Sequence, residues 1–145
     1  MNKQGFTLIE LLITIAIIGI LAGAATTAYI GSLKKAARSE AFTNLDALRL
    51  LEESYFADRA VYAPSAADVA AIKTDLPGFR PDPNSSFTYA TYLNAGLPAS
   101  PAVPYGGSGS NVALTPCFVA TATAVPNSRV AGDVFAIDCN NNKNY

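Results

Sequence analysis

The chain has 145 residues, a length typical of one domain; half of the residues are apolar, and the formal net charge is −1. Because the sequence has no basic patch or basic tail, its composition does not suggest nucleic-acid binding. It has no histidine and only two cysteines, which argues against a zinc site. Since it also lacks a glycine-rich phosphate loop, a nucleophile motif and a convincing cluster of metal ligands, we expect a structural protein with no cofactor rather than an enzyme.

The apolar residues are concentrated in a run from Phe6 to Leu33. As a helix this run would measure about 42 Å, at about 1.5 Å per residue. It therefore exceeds the ~30 Å hydrocarbon core of a bilayer and can span it. Between Lys3 and Lys34 the only charged residue is Glu10. A carboxylate inside a membrane-spanning segment is unfavourable, so we expect Glu10 to have a partner that neutralises its charge.

Two ordinary export signals are alternative explanations of this run. In a cleaved signal peptide, Ala22-Gly23-Ala24 would provide a small-x-small cleavage site. However, Glu10 interrupts the apolar region, which also continues past that site to Ile30. In a simple signal anchor, basic residues should lie before the segment, whereas more of them follow it.

The string Gly5-Phe6-Thr7-Leu8-Ile9-Glu10 resembles the processing site of type IV prepilins. Members of that family carry a short basic leader that ends in glycine. A membrane aspartyl peptidase cuts after this glycine and methylates the new N-terminal phenylalanine. The resemblance implies that residues 1–5 are the leader, that the Gly5–Phe6 bond is cleaved and that Phe6 is N-methylated.

The resemblance also assigns a role to Glu10. In the family, this carboxylate neutralises the N-terminal ammonium of a neighbouring subunit and sets the axial register of assembly. A pair within one chain is an alternative, because Phe6 and Glu10 are four residues apart. The implied protein is a precursor in the inner membrane that polymerises with copies of itself into an extracellular pilus. Such a filament serves motility, adhesion or DNA uptake, and the implied partners are the prepilin peptidase/methyltransferase and the pilus assembly machinery.

The sequence predicts one helix from Phe6 to about Asp58, because the first proline is Pro64. Residues 6–33 form its transmembrane or filament-core part. From Ala37 onward, apolar residues recur at helical spacing and predict one buried face: Ala37, Ala41, Leu45, Leu48, Leu51 and Tyr55. Most charged residues of this part fall outside that stripe and are expected to form the local pairs Asp46–Arg49 and Arg49–Glu53.

Residues 59–145 are predicted to form a globular head. A proline-rich connection includes a short helix within Ser65–Leu76, with Ser65 as its cap. Strands are predicted over 87–93, 117–125 and 133–138, with an exposed loop over 94–109 and a turn at 126–132. These elements suit an antiparallel sheet of three or four strands packed on the helix. The expected fold is therefore α+β and pilin-like, with a long N-terminal helix and a small sheet.

Cys117 and Cys139 are interpreted as one disulfide formed outside the cytoplasm, although two buried free thiols are the alternative. The resemblance places such a bond in the C-terminal loop region of pilins. The oxygen atoms of Asp133, Asp138 and residues 140–142 could form a calcium site, but their spacing is not diagnostic, and a solvated turn and tail is the preferred interpretation.

Two other functions are alternatives to a pilus subunit. A type II secretion pseudopilin has the same N-terminus, but its head is often stabilised by calcium, so a disulfide favours a pilin. A membrane-anchored minor pilin acting as a binding module is the other alternative.

Overall fold

The computed structural model describes residues 6–93 and 117–145. In chain order its elements are α1 (Leu8–Arg59), α2 (Val69–Asp75), β1 (Phe87–Leu93), β2 (Phe118–Ala124) and β3 (Val134–Asp138). This is an α+β fold with a long N-terminal helix and a small antiparallel sheet, as predicted. The predicted leader over 1–5 and the predicted loop over 94–109 lie outside the described residues. The chain divides into two compact units, which meet in sequence between Lys35 and Ala36.

In the first unit, α1 is apolar and exposed on every side. Its large side chains, from Leu8 to Tyr29, are roughly half or more exposed. Among the described residues, α1 is the one helix long and apolar enough to cross a membrane, with a mean hydropathy of 2.5 over its most apolar window. A continuous apolar surface of this kind is unfavourable in water.

In the second unit, α1 buries one face against the sheet. Ala41, Leu45 and Leu48 are fully buried, and Ala37, Leu51 and Tyr55 pack around them as predicted. They share a core with Tyr89 and Phe118 of the sheet, together with other buried residues of β1, β2 and β3. The three- and four-residue spacing brings these side chains onto one face, whose burial stabilises the head.

The short helix α2 is capped differently from the prediction. Its N-cap is Asp68, whose carboxylate accepts a hydrogen bond from the backbone N–H of Ala71 at 2.8 Å. Ser65 instead accepts a hydrogen bond from the backbone N–H of Leu93 through its hydroxyl, at 2.9 Å. Both residues are competent caps by type, so the choice depends on where the chain turns.

The sheet has the order β1-β2-β3, and both pairings are antiparallel. Phe87 lies opposite Ala124 in the first pairing, and Val119 lies opposite Asp138 in the second. The predicted strands are confirmed, with β2 shorter by one residue at each end and β3 by one at its start. In the turn between them, Gly132 has a φ of +92°, which an L side chain rarely adopts.

Candidate assembly site on the N-terminal helix

Thr7 and Glu10 form a reciprocal cap at the start of α1. The Glu10 carboxylate accepts hydrogen bonds from the Thr7 backbone N–H at 2.9 Å and from the Thr7 hydroxyl at 2.6 Å. In return, the Glu10 backbone N–H donates to Thr7 Oγ1 at 3.4 Å. This is the capping-box arrangement, in which two helix-terminal N–H groups gain side-chain acceptors. The helix therefore begins at Leu8 rather than at the predicted Phe6.

This cap places the only carboxylate of the apolar segment at its very start. Phe6 is 82% exposed and lies immediately before the capping pair. An ammonium on Phe6 would therefore be close in sequence to the carboxylate that can neutralise it. Gly5 lies outside the described residues, so the geometry of the Gly5–Phe6 bond is not part of this site.

Small residues interrupt the apolar surface of α1. A methyl group placed on Gly19, Gly23 or Gly31 would meet nothing within 4 Å. These glycines are therefore not required by packing within the chain. A small-xxx-small pair such as Gly19 and Gly23 allows another helix to approach closely. The segment can thus pack against lipid or against other helices.

Comparison with known proteins agrees with this geometry. A family model described as the prokaryotic N-terminal methylation motif matches residues 1–26. The type IV major pilin protein PilA of Myxococcus xanthus is 38% identical over 95 residues, which are 66% of this chain and 40% of that protein. A fimbrial protein of Moraxella nonliquefaciens is 60% identical over 50 residues, 34% of this chain and 32% of its own length.

The chain carries the N-terminal methylation motif and is similar to type IV pilins, which supports the type IV pilin and prepilin family. The type II secretion system core protein G of Vibrio cholerae is also similar, at 35% identity over 75 residues, 51% of each chain. This chain spans only 32% to 51% of the length of these three relatives. No solved structure matches it.

The predicted disulfide is present in the head. Cys117 and Cys139 are bonded, and the free-thiol alternative is wrong. Cys117 directly precedes β2 and Cys139 directly follows β3, so the bond closes the hairpin that these strands form.

Three side chains on α1 contact residues within 133–145 of the head. They are Arg38, Phe42 and Asp46, and each lies one helical turn from the next. Arg38 pairs with Asp133 at 2.7 Å, and Asp46 pairs with Lys143 at 2.6 Å. Between them, the Phe42 ring stacks on Tyr145 with centroids 4.2 Å apart. Each ion pair favours the charged forms: the Asp133 carboxylate raises the pKa of Arg38, and Asp46 raises the pKa of Lys143.

The predicted local ion pairs of α1 are wrong. Within the described ranges, Arg49 forms no salt bridge with Asp46 or Glu53, and Asp46 turns to Lys143 instead. A partner distant in sequence displaces the neighbour because the folded head brings Lys143 within hydrogen-bond distance. Helical spacing alone could not reveal this competition.

The oxygens considered for calcium have other partners. Asp133 is held by Arg38, and Asp138 accepts hydrogen bonds from the backbone N–H groups of Asn140 and Asn142. Across residues 6–93 and 117–145, no group of three or more acidic, histidine or cysteine residues is placed to hold a metal. The arrangement around Asp138 is the turn that the sequence favours.

Glu52 is an exception to the expectation that the charged residues of α1 lie outside its buried stripe. It is fully buried on the core face of α1, four residues after Leu48. Burial, reinforced by the nearby charges of Asp75 and Glu53, raises its pKa to about 7, although a hydrogen bond from Ala63 acts in the opposite direction. The sequence does indicate this burial, because Glu52 continues the three- and four-residue spacing of Leu45 and Leu48 in the apolar stripe.

Proposed function

We propose that this chain is the structural subunit of a type IV pilus and polymerises through residues 6–33 of its N-terminal helix. One observation carries the proposal: in this methylation-motif chain, α1 is apolar and exposed on all sides from Leu8 to Tyr29, and the one carboxylate of that segment, Glu10, caps its start. An exposed apolar surface of this size requires a covering partner. The bilayer covers it in the precursor, and copies of the same helix cover it in the filament.

Processing at Gly5–Phe6 prepares the subunit for assembly. A prepilin peptidase removes residues 1–5, and its methyltransferase activity methylates the Phe6 amine. The match to the methylation motif over residues 1–26 supports this step. The precursor resides in the inner membrane, and the pilus assembly machinery moves the processed chain into the extracellular filament.

Glu10 neutralises the N-terminal ammonium of a neighbouring copy during assembly. Each charge is unfavourable by itself in an apolar environment, whereas the pair attracts strongly at low dielectric. In the single chain, the carboxylate bonds to Thr7 N–H and O–H groups. A carboxylate oxygen has more than one acceptor site, so the cap leaves capacity for an incoming ammonium.

Mass spectrometry of sheared surface filaments tests the proposal. We expect a chain that begins at N-methylated Phe6 and is two hydrogens lighter than the reduced form because Cys117 and Cys139 are bonded. A chain that begins at Met1 or near Ala25, or absence from the sheared fraction, would contradict the filament subunit. Treating the sample with a reductant provides the control for the two-hydrogen difference.

A type II secretion pseudopilin is the second candidate, and the similarity to the Vibrio cholerae core protein G favours it. Its filament would remain short and periplasmic. The two candidates differ in the expected location of the polymer and in calcium dependence. A calcium-dependent rise in the melting temperature, with no chain in the sheared fraction, would favour the pseudopilin.

A further inference from the structure

The apolar run of α1 ends at two adjacent cations, Lys34 and Lys35, here called the basic pair. Both side chains are exposed. Across residues 6–93 and 117–145, neither amine forms a salt bridge with a carboxylate. Polymerisation through residues 6–33 does not use these charges, and they follow the apolar run, where an ordinary signal anchor would not place them. The basic pair is therefore a charged feature that the proposed function leaves without a role.

The two ends of the apolar segment are spaced like the two faces of a bilayer. Glu10 and Lys34 are 24 positions apart, and this separation is about 36 Å along a helix at about 1.5 Å per residue. Because the hydrocarbon core is ~30 Å thick, Lys34 lies just outside one boundary when Glu10 lies at the other. Tyr29, the one aromatic residue between Leu8 and Ala41, is 64% exposed and lies about 28 Å from Glu10. Tyrosine is enriched at this boundary in membrane helices, so the basic pair is placed at headgroup level.

The basic pair leaves room for an anionic group at the helix surface. Side chains of a helix tilt toward its N-terminus, so this tilt carries both amines back toward the apolar segment. Gly31 precedes Lys34 by three positions and Lys35 by four, and it therefore lies between them on the helix surface, one turn closer to the bilayer. A methyl group placed on Gly31 would meet nothing within 4 Å. A phosphate can thus approach the helix with a cation on either side.

We propose that Lys34 and Lys35 bind the phosphate headgroup of an anionic phospholipid at the membrane surface. The inference rests on the proposed function, because it requires a precursor that spans a bilayer. Two cations around one phosphate favour a headgroup with net negative charge, such as phosphatidylglycerol, over phosphatidylcholine, whose choline adds a positive charge. Each lysine near an anionic membrane surface strengthens binding by about fivefold. The contact holds the precursor at a fixed depth and breaks when the helix leaves the bilayer.

Native mass spectrometry tests the site with the full chain in mixed micelles that contain equal amounts of phosphatidylglycerol and phosphatidylcholine. We expect the wild type to retain phosphatidylglycerol over phosphatidylcholine by at least about tenfold, and Lys34→Gln/Lys35→Gln by less than about twofold. Lys34→Arg/Lys35→Arg keeps both charges and should keep the preference. The matched control is Lys73→Gln/Arg129→Gln, which removes the same charge from exposed positions of the head and should behave as the wild type.

Two results would overturn the basic pair as the site. One is an unchanged lipid preference in Lys34→Gln/Lys35→Gln, and the other is an equal loss of preference in the head control. Inorganic phosphate separates a lipid site from a site for free phosphate. It should release no more phosphatidylglycerol than sodium chloride does at the same ionic strength, because the acyl chains keep the lipid beside the helix. Greater release by phosphate would overturn the phospholipid as the ligand.

The lipid site and the filament subunit can fail separately. Sheared filaments that contain this chain, together with no lipid preference in micelles, would overturn the lipid site alone. A lipid preference that depends on Lys34 and Lys35, in a chain absent from the sheared fraction, would support the lipid site and contradict the filament subunit.

Discussion

Glu52 on α1 accepts a hydrogen bond from the backbone N–H of Ala63 at 3.0 Å, and its other carboxylate oxygen is buried without a partner in the described part of the chain. Ala60, with a φ of +57°, ends the helix and turns the chain back toward this carboxylate. The side chain therefore fixes the first residues of the connection onto the helix that they leave. The nearby charged groups are Asp75 and Glu53, which repel its negative charge.

Ionisation of Glu52 should reduce the stability of the head. Its pKa is about 7 in the folded protein, above its ordinary value of 4.5, so folding favours the protonated form. Below about pH 4.5 the carboxyl is protonated in both states and no penalty arises; the penalty grows as pH rises to about 7. We expect this group to lower the free energy of unfolding by on the order of 2–3 kcal/mol between those values.

Glu52→Gln tests this expectation, because the amide keeps an acceptor for the Ala63 N–H and does not ionise. Denaturant unfolding of the full chain in detergent, from pH 4 to 8, should show a weaker pH dependence in this variant. Asp58→Asn is the control, since Asp58 is an exposed carboxylate of the same helix. Parallel pH profiles for wild type and Glu52→Gln would show that other groups dominate.

The buried face of α1 illustrates what periodicity could predict. The apolar stripe through Ala41, Leu45 and Leu48 follows from three- and four-residue spacing, and the structure buries it. The charged residues of this part were expected mostly outside that stripe, yet Glu52 is fully buried, which is rare for a carboxylate. It tolerates burial because the head supplies a backbone N–H from Ala63, a contact that helical spacing cannot show.

Residues 140–145 show a second limit of the sequence. They are polar and asparagine-rich, which favours a solvated segment. Their order depends on groups distant in the chain: Asp46 and Phe42 on α1, and Ala136 on β3. By contrast, the strands and the Cys117–Cys139 bond could be predicted from local composition and cysteine count.

Phe42→Ala should destabilise the head more than removal of either neighbouring ion pair. The Phe42 ring stacks on Tyr145 and meets Phe135 edge-on with centroids 4.8 Å apart. We expect Phe42→Ala to lower the free energy of unfolding by only about 2 kcal/mol, since the ring is partly exposed and its packing is incomplete. Arg38→Ala should cost less than about 1 kcal/mol, because its ion pair with Asp133 is solvent-accessible.

Denaturant unfolding of the full chain measures both substitutions at one pH. Thr43→Ala is the control, because Thr43 is exposed on the same helix. If Arg38→Ala lowers the free energy of unfolding more than Phe42→Ala does, ion pairing rather than aromatic packing stabilises this contact between the head and α1.

Replacing both Cys117 and Cys139 by alanine should destabilise the head by about 3 kcal/mol. The bond joins residues 22 positions apart, and a closed loop of that length restricts the unfolded chain by about this amount in the chain-entropy model. Unfolding of the full chain with and without reductant checks the value. The reductant should reproduce the loss in wild type and leave the double variant unchanged; an effect on the double variant would indicate another cause.

Glu10→Gln and Glu10→Ala should separate the two roles of the carboxylate in assembly. Glutamine can retain the cap to Thr7, because it too accepts a hydrogen bond at this helix position, but it carries no charge. Alanine removes both the cap and the charge. Because we propose charge neutralisation as the assembly role, both variants should reach the membrane and yield few or no filaments, measured by shearing and by membrane fractionation. Normal filaments from Glu10→Gln, but not from Glu10→Ala, would assign the role to the cap, and normal filaments from both would remove Glu10 from assembly.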